Sequence, residues 1–122
     1  MSQDLKDKVT TYLRHLENRE WAEAQAMCSE QATVWHNDGK GDSTIQENIS
    51  GMQAQIEPIR SMRYDITRQF SEPDEVLQQH VVHVVMQDGA LFRLDAAAYF
   101  RFENHLITRI EEYASLPSSD AA

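Results

Sequence analysis

The first apolar pattern in the chain has the period of an α-helix. Between residues 4 and 18 the apolar side chains recur every three or four positions and fall on one face. They are Leu5, Val9, Tyr12, Leu13 and Leu16. Residues 20–29 predict a second, shorter amphipathic helix, and residues 32–36 predict a short strand.

A capping signal marks the start of a third helix. Residues 37–42 are typical of a glycine-rich turn, and Ser43 with Gln46 three residues later matches a capping box. Apolar residues at helical spacing continue to Ile56, and Pro58 is expected to stop the helix.

Beyond Pro58 the apolar period changes to two, which is the period of a β-strand. The pattern predicts four long strands in a meander, over residues 62–70, 75–87, 90–103 and 106–114. Asp88-Gly89 is a strong hairpin signal between two of them. Helices followed by antiparallel strands predict an α+β fold, in which three helices pack on one face of a curved antiparallel sheet.

The opposite face of this sheet would be largely apolar. If the alternation holds, it carries Val82, Val84, Ala97 and Tyr99. Monomeric proteins rarely leave such a surface in water, so the pattern predicts a homodimer formed through the sheet.

Length and charge limit the class of protein. The chain has 122 residues, which predicts a single domain over 1–122, with a core at about 4–115 and a flexible tail at 116–122. Its net charge of −9 repels phosphate groups and argues against nucleic acid and against an anionic membrane surface as partners. A single cysteine, Cys28, and the lack of a signal-peptide pattern favour a cytoplasmic location.

Two stretches and the order of elements carry a family resemblance. "ATVWHNDG" follows the second helix, and "YFRFENHLITRIEEY" crosses the last two strands. Over roughly residues 4–115 the chain resembles the nuclear transport factor 2-like superfamily, and within it the SnoaL-like and ketosteroid isomerase-like proteins. The resemblance implies a cone-like fold, usually dimeric, with the helices on the concave face and an apolar pocket beneath them. Isomerases, cyclases, epoxide hydrolases, dehydratases and proteins without catalytic activity share this fold, so the fold alone assigns no function.

The resemblance also suggests roles for individual residues. Tyr12 matches the position of the isomerase's catalytic tyrosine, and His36 stands where the isomerase has its aspartate base. Ala98 occupies the position of the isomerase's protonated aspartate. In SnoaL-type cyclases an acid/base aspartate follows the final "EY", and Ser115 stands in that place here. The resemblance therefore implies His36 as general base and Tyr12 as oxyanion donor, with two known groups missing.

Each candidate also has a purely structural interpretation. An imidazole titrates near neutral pH and suits proton transfer, but His36 could equally cap a strand. A pocket tyrosine could hold a carbonyl or enolate oxygen, but Tyr12 could be an ordinary core residue. Asp38 is an alternative base, although its position predicts a turn.

The resemblance implies that two further ionisable residues lie on the pocket side of the sheet. His83 shares its face with apolar residues of the second long strand, and Glu112 does so in the last strand. Because a lone carboxylate on an apolar face is costly, Glu112 should pair with His36 or His83. The alternative is that it pairs with Arg109 or Arg101 at the sheet rim.

The remaining pocket residues predicted by the family resemblance are apolar. They are Met52, Met62, Val81, Ala98 and Ile110. His80 and His83 are three apart in a strand, so their rings point to opposite faces and predict no metal site. No cofactor is expected either.

The sequence is compatible with two functions. The first is a small-molecule isomerase, cyclase or lyase that acts on an apolar carbonyl compound, with His36 as its base. The second is a non-catalytic ligand-binding or dimerisation module, which the incomplete catalytic set favours. A weaker third possibility is a vestigial pocket filled by Met52, Met62 and Phe100.

Overall fold

The computed structural model describes residues 2–119. Within this range the helices are α1 (Ser2–Glu17), α2 (Trp21–Ala26) and α3 (Ile45–Ala54). The strands of the same range are β1 (Cys28–His36), β2 (Asp42–Thr44), β3 (Ile59–Glu72), β4 (Glu75–Met86), β5 (Leu91–Glu103), β6 (Leu106–Ala114) and β7 (Ser118–Ser119).

The described strands form one mixed sheet. Their order is β2-β1-β6-β5-β4-β3, with β7 paired to β5. Strands β3 to β6 form the predicted antiparallel meander, whereas β1 runs parallel to β6. The predicted α+β fold, three helices on a curved open sheet, is confirmed. The expectation that every strand pair is antiparallel is wrong, because β1 inserts beside β6 with the same direction.

Helix α1 buries its predicted apolar stripe against the sheet. Leu5, Val9, Tyr12, Leu13 and Leu16 are all buried. The end of the helix is tied to β3 through the backbone of Tyr64. The Tyr64 amide donates to Oε2 of Glu17 at 2.6 Å, and Nη1 of Arg14 donates to the Tyr64 carbonyl at 2.9 Å. These bonds hold the last turns of α1 over β3.

Helix α2 is shorter than the pattern predicts. It ends at Ala26, and Cys28 already belongs to β1, although helix was expected to residue 29. The Ile107 amide donates to the carbonyl of Met27 at 3.0 Å, and Cys28 pairs with Ile107. Pairing with β6 therefore overrides the local helical pattern, which is a weak preference.

The capping box of α3 lies one residue later than predicted. Oγ1 of Thr44 accepts from the Glu47 amide at 3.0 Å, and Oε1 of Glu47 accepts from the Thr44 amide at 2.8 Å. Ser43 instead lies in β2, and Gln46 donates to the carbonyl of Glu30. The kind of start signal is as predicted, and its register is wrong by one residue.

Strand pairing divides the central residues between two faces. The inner face, against the helices, carries the buried residues Gln78, His80, Ala98, Phe100 and Ile110. The outer face carries the cross-strand neighbours Leu77, Gln79, Ala97, Tyr99 and Tyr113. The outward positions predicted for Ala97 and Tyr99 are confirmed. Those predicted for Val82 and Val84 are wrong, because Val82 is buried in the core and Val84 packs against it.

A β-bulge in β3 changes which of its residues face inward. Between Ile66 and Arg68 the pairing with β4 shifts by one residue. Tyr64 faces the core before the bulge, and Gln69 faces the same side after it. The regular alternation predicted over residues 62–70 therefore holds only up to Ile66.

The residues after β6 are partly ordered into the sheet. Ser118 and Ser119 pair with Arg93 and Phe92 of β5. The flexible tail at 116–122 stays a prediction, and its last residues, 120–122, lie outside the described residues. Within residues 2–119, no helix is long and apolar enough to cross a membrane.

Candidate functional site

A small, partly open cavity lies between α1, α3 and the inner face of the sheet. Its volume is about 40 Å³. Six of the predicted site residues line it: Tyr12, His36, Met52, Ala98, Ile110 and Glu112. Three polar residues that the sequence analysis did not propose also line it, namely Asn48, Tyr64 and His80.

The parallel pairing of β1 with β6 brings His36 to Glu112. The two residues are direct partners in the register, and both side chains face the cavity. Nε2 of His36 lies 3.4 Å from Oε1 of Glu112. Glu112 was expected to pair either with a histidine or with an arginine at the sheet rim, and the pairing with His36 is present. Arg109 instead contacts Asp42 and Glu111.

A second imidazole approaches Glu112 from β4. Nε2 of His80 lies 3.1 Å from Oε2 of Glu112, so each carboxylate oxygen has its own imidazole. The ring of His80 also meets Tyr64 edge to face, with centroids 5.5 Å apart. Burial increases along this set, since 35% of the His36 side chain is exposed, 23% of Glu112 and 1% of His80.

These contacts determine the charge of the carboxylate. Burial alone raises the pKa of Glu112, but the hydrogen bonds from His36 and His80 outweigh it and lower that pKa to about 2. The same hydrogen bond raises the pKa of His36 above its ordinary value, against the opposing effect of burial, and the charges of Glu112 and Asp38 add to the increase. The site therefore holds a carboxylate anion at neutral pH beside a more basic imidazole.

Two tyrosine hydroxyls face the same cavity. Burial, with the nearby negative charge of Glu112, raises the pKa of both Tyr12 and Tyr64, so both remain protonated donors. Neither hydroxyl has a hydrogen-bond partner among the described residues. Every fully buried side-chain polar atom of those residues does have a partner, so these two oxygens are not fully enclosed by protein atoms. Both oxygens therefore reach open space, which for these buried side chains is the cavity.

Three predicted pocket residues lie elsewhere. His83 and Val81 are on the outer face, where Nε2 of His83 is 3.9 Å from Oδ2 of Asp65. Their expected inward orientation is wrong because valines occupy both faces of this strand, so the apolar pattern does not distinguish the two. Met62 packs against the core but does not line the cavity.

The other two positions raised by the family comparison have structural partners. Oγ of Ser115 accepts a hydrogen bond from the Asp95 amide at 3.0 Å, at the outer side of the sheet. Oδ1 of Asp38 accepts from the Lys40 amide at 2.9 Å within the turn after β1. Within residues 2–119 no group of three or more His, Cys, Asp or Glu side chains is arranged to hold a metal ion.

The comparison with protein families identifies the fold group. The model of the SnoaL-like domain matches residues 9–110. The chain belongs to the SnoaL-like domain family. No curated protein sequence matches the chain significantly.

Solved structures with the SnoaL-like fold agree with this assignment. A candidate polyketide cyclase from Xanthomonas campestris pv. campestris superposes with a TM-score of 0.80 at 21% identity, covering 92% of this chain and 90% of that one. An LEH-like epoxide hydrolase of M. tuberculosis superposes with a TM-score of 0.75 at 14% identity, covering 89% of this chain and 80% of that one. A third structure is a protein with a ketosteroid isomerase-like fold from Catenulispora acidiphila DSM 44928, in complex with trimethylamine. It superposes with a TM-score of 0.74 at 22% identity, covering 89% of this chain and 85% of that one. At these identities the likeness establishes the fold alone.

Proposed function

We propose that this SnoaL-like protein is a proton-transfer enzyme of the isomerase, cyclase or lyase type, acting on a small and largely apolar carbonyl compound. His36 is the general base, and Tyr12 donates a hydrogen bond to the substrate oxygen. The observation that carries the proposal is Glu112, a carboxylate held between two imidazoles on the wall of a cavity that two tyrosine hydroxyls also face.

The pairing with Glu112 suits His36 to accept a proton. When Nε2 of the neutral ring donates to Glu112, the lone pair is left on Nδ1. The carboxylate raises the basicity of that nitrogen and stabilises the imidazolium that forms after proton transfer. Its low pKa keeps Glu112 itself from taking the proton at neutral pH.

Tyr64 supplies a second donor where the resemblance implied that one is missing. Ala98 cannot hold an oxyanion, but Tyr64 on β3 faces the same cavity as Tyr12, and its raised pKa keeps the hydroxyl protonated. Two preorganised donors stabilise a developing enolate better than one, and loss of a single donor commonly costs about 10²–10³ in rate.

The cavity volume limits the substrate. About 40 Å³ holds only a few water molecules, at ~10–15 Å³ for each, whereas pockets for drug-sized ligands measure ~300–1,000 Å³. Half-buried Met52 and partly exposed His36 are the lining groups that could move to admit a larger compound. An unbranched Met side chain adapts readily to a new occupant.

The same volume favours the second candidate, a binding module without catalysis. A nearly filled cavity and the absence of an acid at Ala98 or Ser115 would both suit a domain that binds a small apolar molecule, or that acts through self-association. The two candidates differ in one measurable property, the exchange of carbon-bound hydrogen.

Hydrogen–deuterium exchange tests the proposal without knowledge of the product. Small ketones and 1,3-dicarbonyl compounds are incubated with the protein in D₂O, and loss of the α-hydrogen signal is followed by NMR. Wild type should accelerate exchange of at least one compound that also raises its melting temperature. His36→Ala and Glu112→Gln should abolish the acceleration, whereas His83→Ala, on the outer face, should preserve it.

Two results would decide against the enzyme. Exchange that survives in His36→Ala would remove His36 as the base. Compounds that stabilise wild type and His36→Ala equally, with exchange no faster than in buffer, would assign the protein to the binding class.

A further inference from the structure

Two side-chain amides, half-buried Gln69 and buried Gln78, lead from helix α1 to the inner imidazole of the site. Nε2 of Gln69 lies 3.0 Å from Oε1 of Gln78, and Nε2 of Gln78 lies 2.9 Å from Nδ1 of His80. Gln78 and His80 are 1% and 2% exposed. The β-bulge in β3 makes this contact possible, because it turns Gln69 toward the inner face.

The direction of these hydrogen bonds is set at the helix. Nε2 of Gln69 also lies 3.4 Å from the carbonyl of Lys6 and 3.3 Å from Oγ1 of Thr10. A carbonyl only accepts, and the Thr10 hydroxyl already donates its hydrogen to the same Lys6 carbonyl at 3.1 Å. Both neighbours on α1 are therefore acceptors, so the nitrogen of the Gln69 amide, and not its oxygen, lies beside them and beside Gln78.

The orientation of the Gln69 amide determines that of the Gln78 amide, and thereby which nitrogen of His80 carries the proton. Because Gln69 donates, Oε1 of Gln78 accepts, and Nε2 of Gln78 must then donate to Nδ1 of His80. An imidazole nitrogen that accepts a hydrogen bond carries no proton, so the proton of the neutral ring is on Nε2. This is the nitrogen that lies 3.1 Å from Oε2 of Glu112.

We propose that Gln69 and Gln78 are positioning residues that hold His80 as a neutral Nε2–H donor, so that the negative charge of Glu112 is left for His36. A doubly protonated His80 would carry a positive charge that offsets the negative charge of Glu112 and weakens the effect of that charge on His36. Protonating Nδ1 would set an N–H against the N–H of Gln78, and the amide cannot rotate without losing the bond from Gln69. The role of His36 as base rests on the proposed function, whereas the state of the two rings does not.

Other ionisable groups around the pair do not account for this arrangement. The groups near the two rings and the carboxylate are Tyr12 on α1, Tyr64 on β3 and Asp38 in the turn after β1. Both phenols are protonated, and Asp38 acts on His36. Helix α3 and strand β5 contribute only the neutral residues Asn48, Met52, Ala98 and Phe100 to the cavity.

Long-range ¹H–¹⁵N NMR of the imidazoles tests the proposal on the protein alone. In wild type at neutral pH, Nδ1 of His80 should resonate as an unprotonated, hydrogen-bonded nitrogen. Gln69→Glu replaces the outer donor with an acceptor, so the Gln78 amide should rotate and present its oxygen to Nδ1. We expect Nδ1 of His80 to become protonated and the titration midpoint of His36 to fall.

A matched control lies next to Gln78 in the same strand. Gln79→Glu makes the same change of charge on the outer face, and it should leave both rings as in wild type. Gln78→Glu places the acceptor directly against Nδ1 and should protonate it even if Gln69→Glu does not fold. The inference is overturned if Nδ1 of His80 is already protonated in wild type, or if either folded variant leaves Nδ1 and His36 unchanged. These outcomes do not depend on turnover, so a lack of catalysis would contradict the proposed function and leave this inference standing.

Discussion

Ala98 lies directly opposite Glu112 in the pairing of β5 with β6, and both side chains face the cavity. Ala98 also pairs with Gln78 on its other side. Ala98 therefore lies in the strand between those of His80 and Glu112, and its side chain is only a methyl group. The family resemblance implies an acid at this position, and an acid there would lie beside the carboxylate of Glu112.

Ala98→Asp should destabilise the protein through charge repulsion. Cross-strand partners have Cβ atoms about 5 Å apart, so the new carboxylate would lie beside Glu112 in a buried setting. We expect a loss of about 1–3 kcal/mol in the free energy of unfolding at pH 7, measured by urea denaturation. The neutral isostere Ala98→Asn should lose less at pH 7 and match Ala98→Asp more closely at pH 4. Equal losses at both pH values would show that packing, not charge, governs this position.

Glu112 should stabilise the fold only above acidic pH. Its pKa of about 2 in the folded protein lies below the ordinary value of 4.5, so the contribution is present above pH 4.5 and is lost as pH falls toward 2. This lowering of the pKa corresponds to roughly 3 kcal/mol. Urea denaturation of wild type and Glu112→Gln should therefore differ most near pH 5–6 and converge near pH 2. A constant difference across this range would contradict the assignment.

The titration of His36 should report its partner. Because Glu112 is the main cause of the raised pKa, Glu112→Gln should lower the midpoint seen in the imidazole NMR signals of His36. Asp38→Asn should lower it less, since Asp38 contributes only a longer-range charge. The stability that this pairing provides is present below the ordinary His pKa of about 6.5 and is lost as pH rises through the raised value. A larger effect of Asp38→Asn than of Glu112→Gln would reverse the order of causes.

The cap of α3 offers a test of its register. Thr44→Ala removes the acceptor for the Glu47 amide and should cost about 1 kcal/mol in the free energy of unfolding. Ser43→Ala changes the neighbouring hydroxyl, which makes no capping bond, and should cost a few tenths of that. Denaturation curves of both variants distinguish the observed capping box from the one predicted one residue earlier.

The outer face of the sheet should mediate self-association. Phe70, Leu77 and Tyr113 are 64%, 52% and 58% exposed, and Phe70 pairs with Leu77 across β3 and β4. We expect sedimentation equilibrium to show a dimer that Leu77→Arg converts to a monomer. Leu106→Arg, at an exposed apolar residue beside the turn between β5 and β6, should leave the dimer intact. A monomeric wild type at micromolar concentration would exclude this interface.

Local periodicity predicts most of the elements here because each depends on neighbours in the chain. The stripe of α1 and the hairpin signals of the meander come from short-range sterics and burial, and they are found where expected. The errors at the end of α2 and in the direction of β1 have one cause. Cys28 and its strand pair with β6, a contact between distant parts of the chain that no local pattern contains.

The site was only partly predictable for a related reason. The family resemblance predicts Tyr12 and His36 as site residues, and the cost of an isolated carboxylate predicts the pairing of Glu112. His80 is not predicted because β4 has valines on both faces, which conceals the buried face, and Tyr64 in β3 alternates like an ordinary core residue. The one available signal was chemical, since Gln78 and His80 alternate as polar residues in a strand of valines, which is costly unless they bond to each other.

The parallel pairing of β1 with β6 has a consequence for the biogenesis of the protein. His36 is translated early, and Glu112 only after every other strand of the meander has been made. Contacts between such distant segments form slowly, because a long loop must close first. A nascent chain therefore carries helices and hairpins but not the pair of His36 and Glu112. A ribosome that stalls before β6 would release a polypeptide with an unpaired edge at β1, a species prone to aggregate.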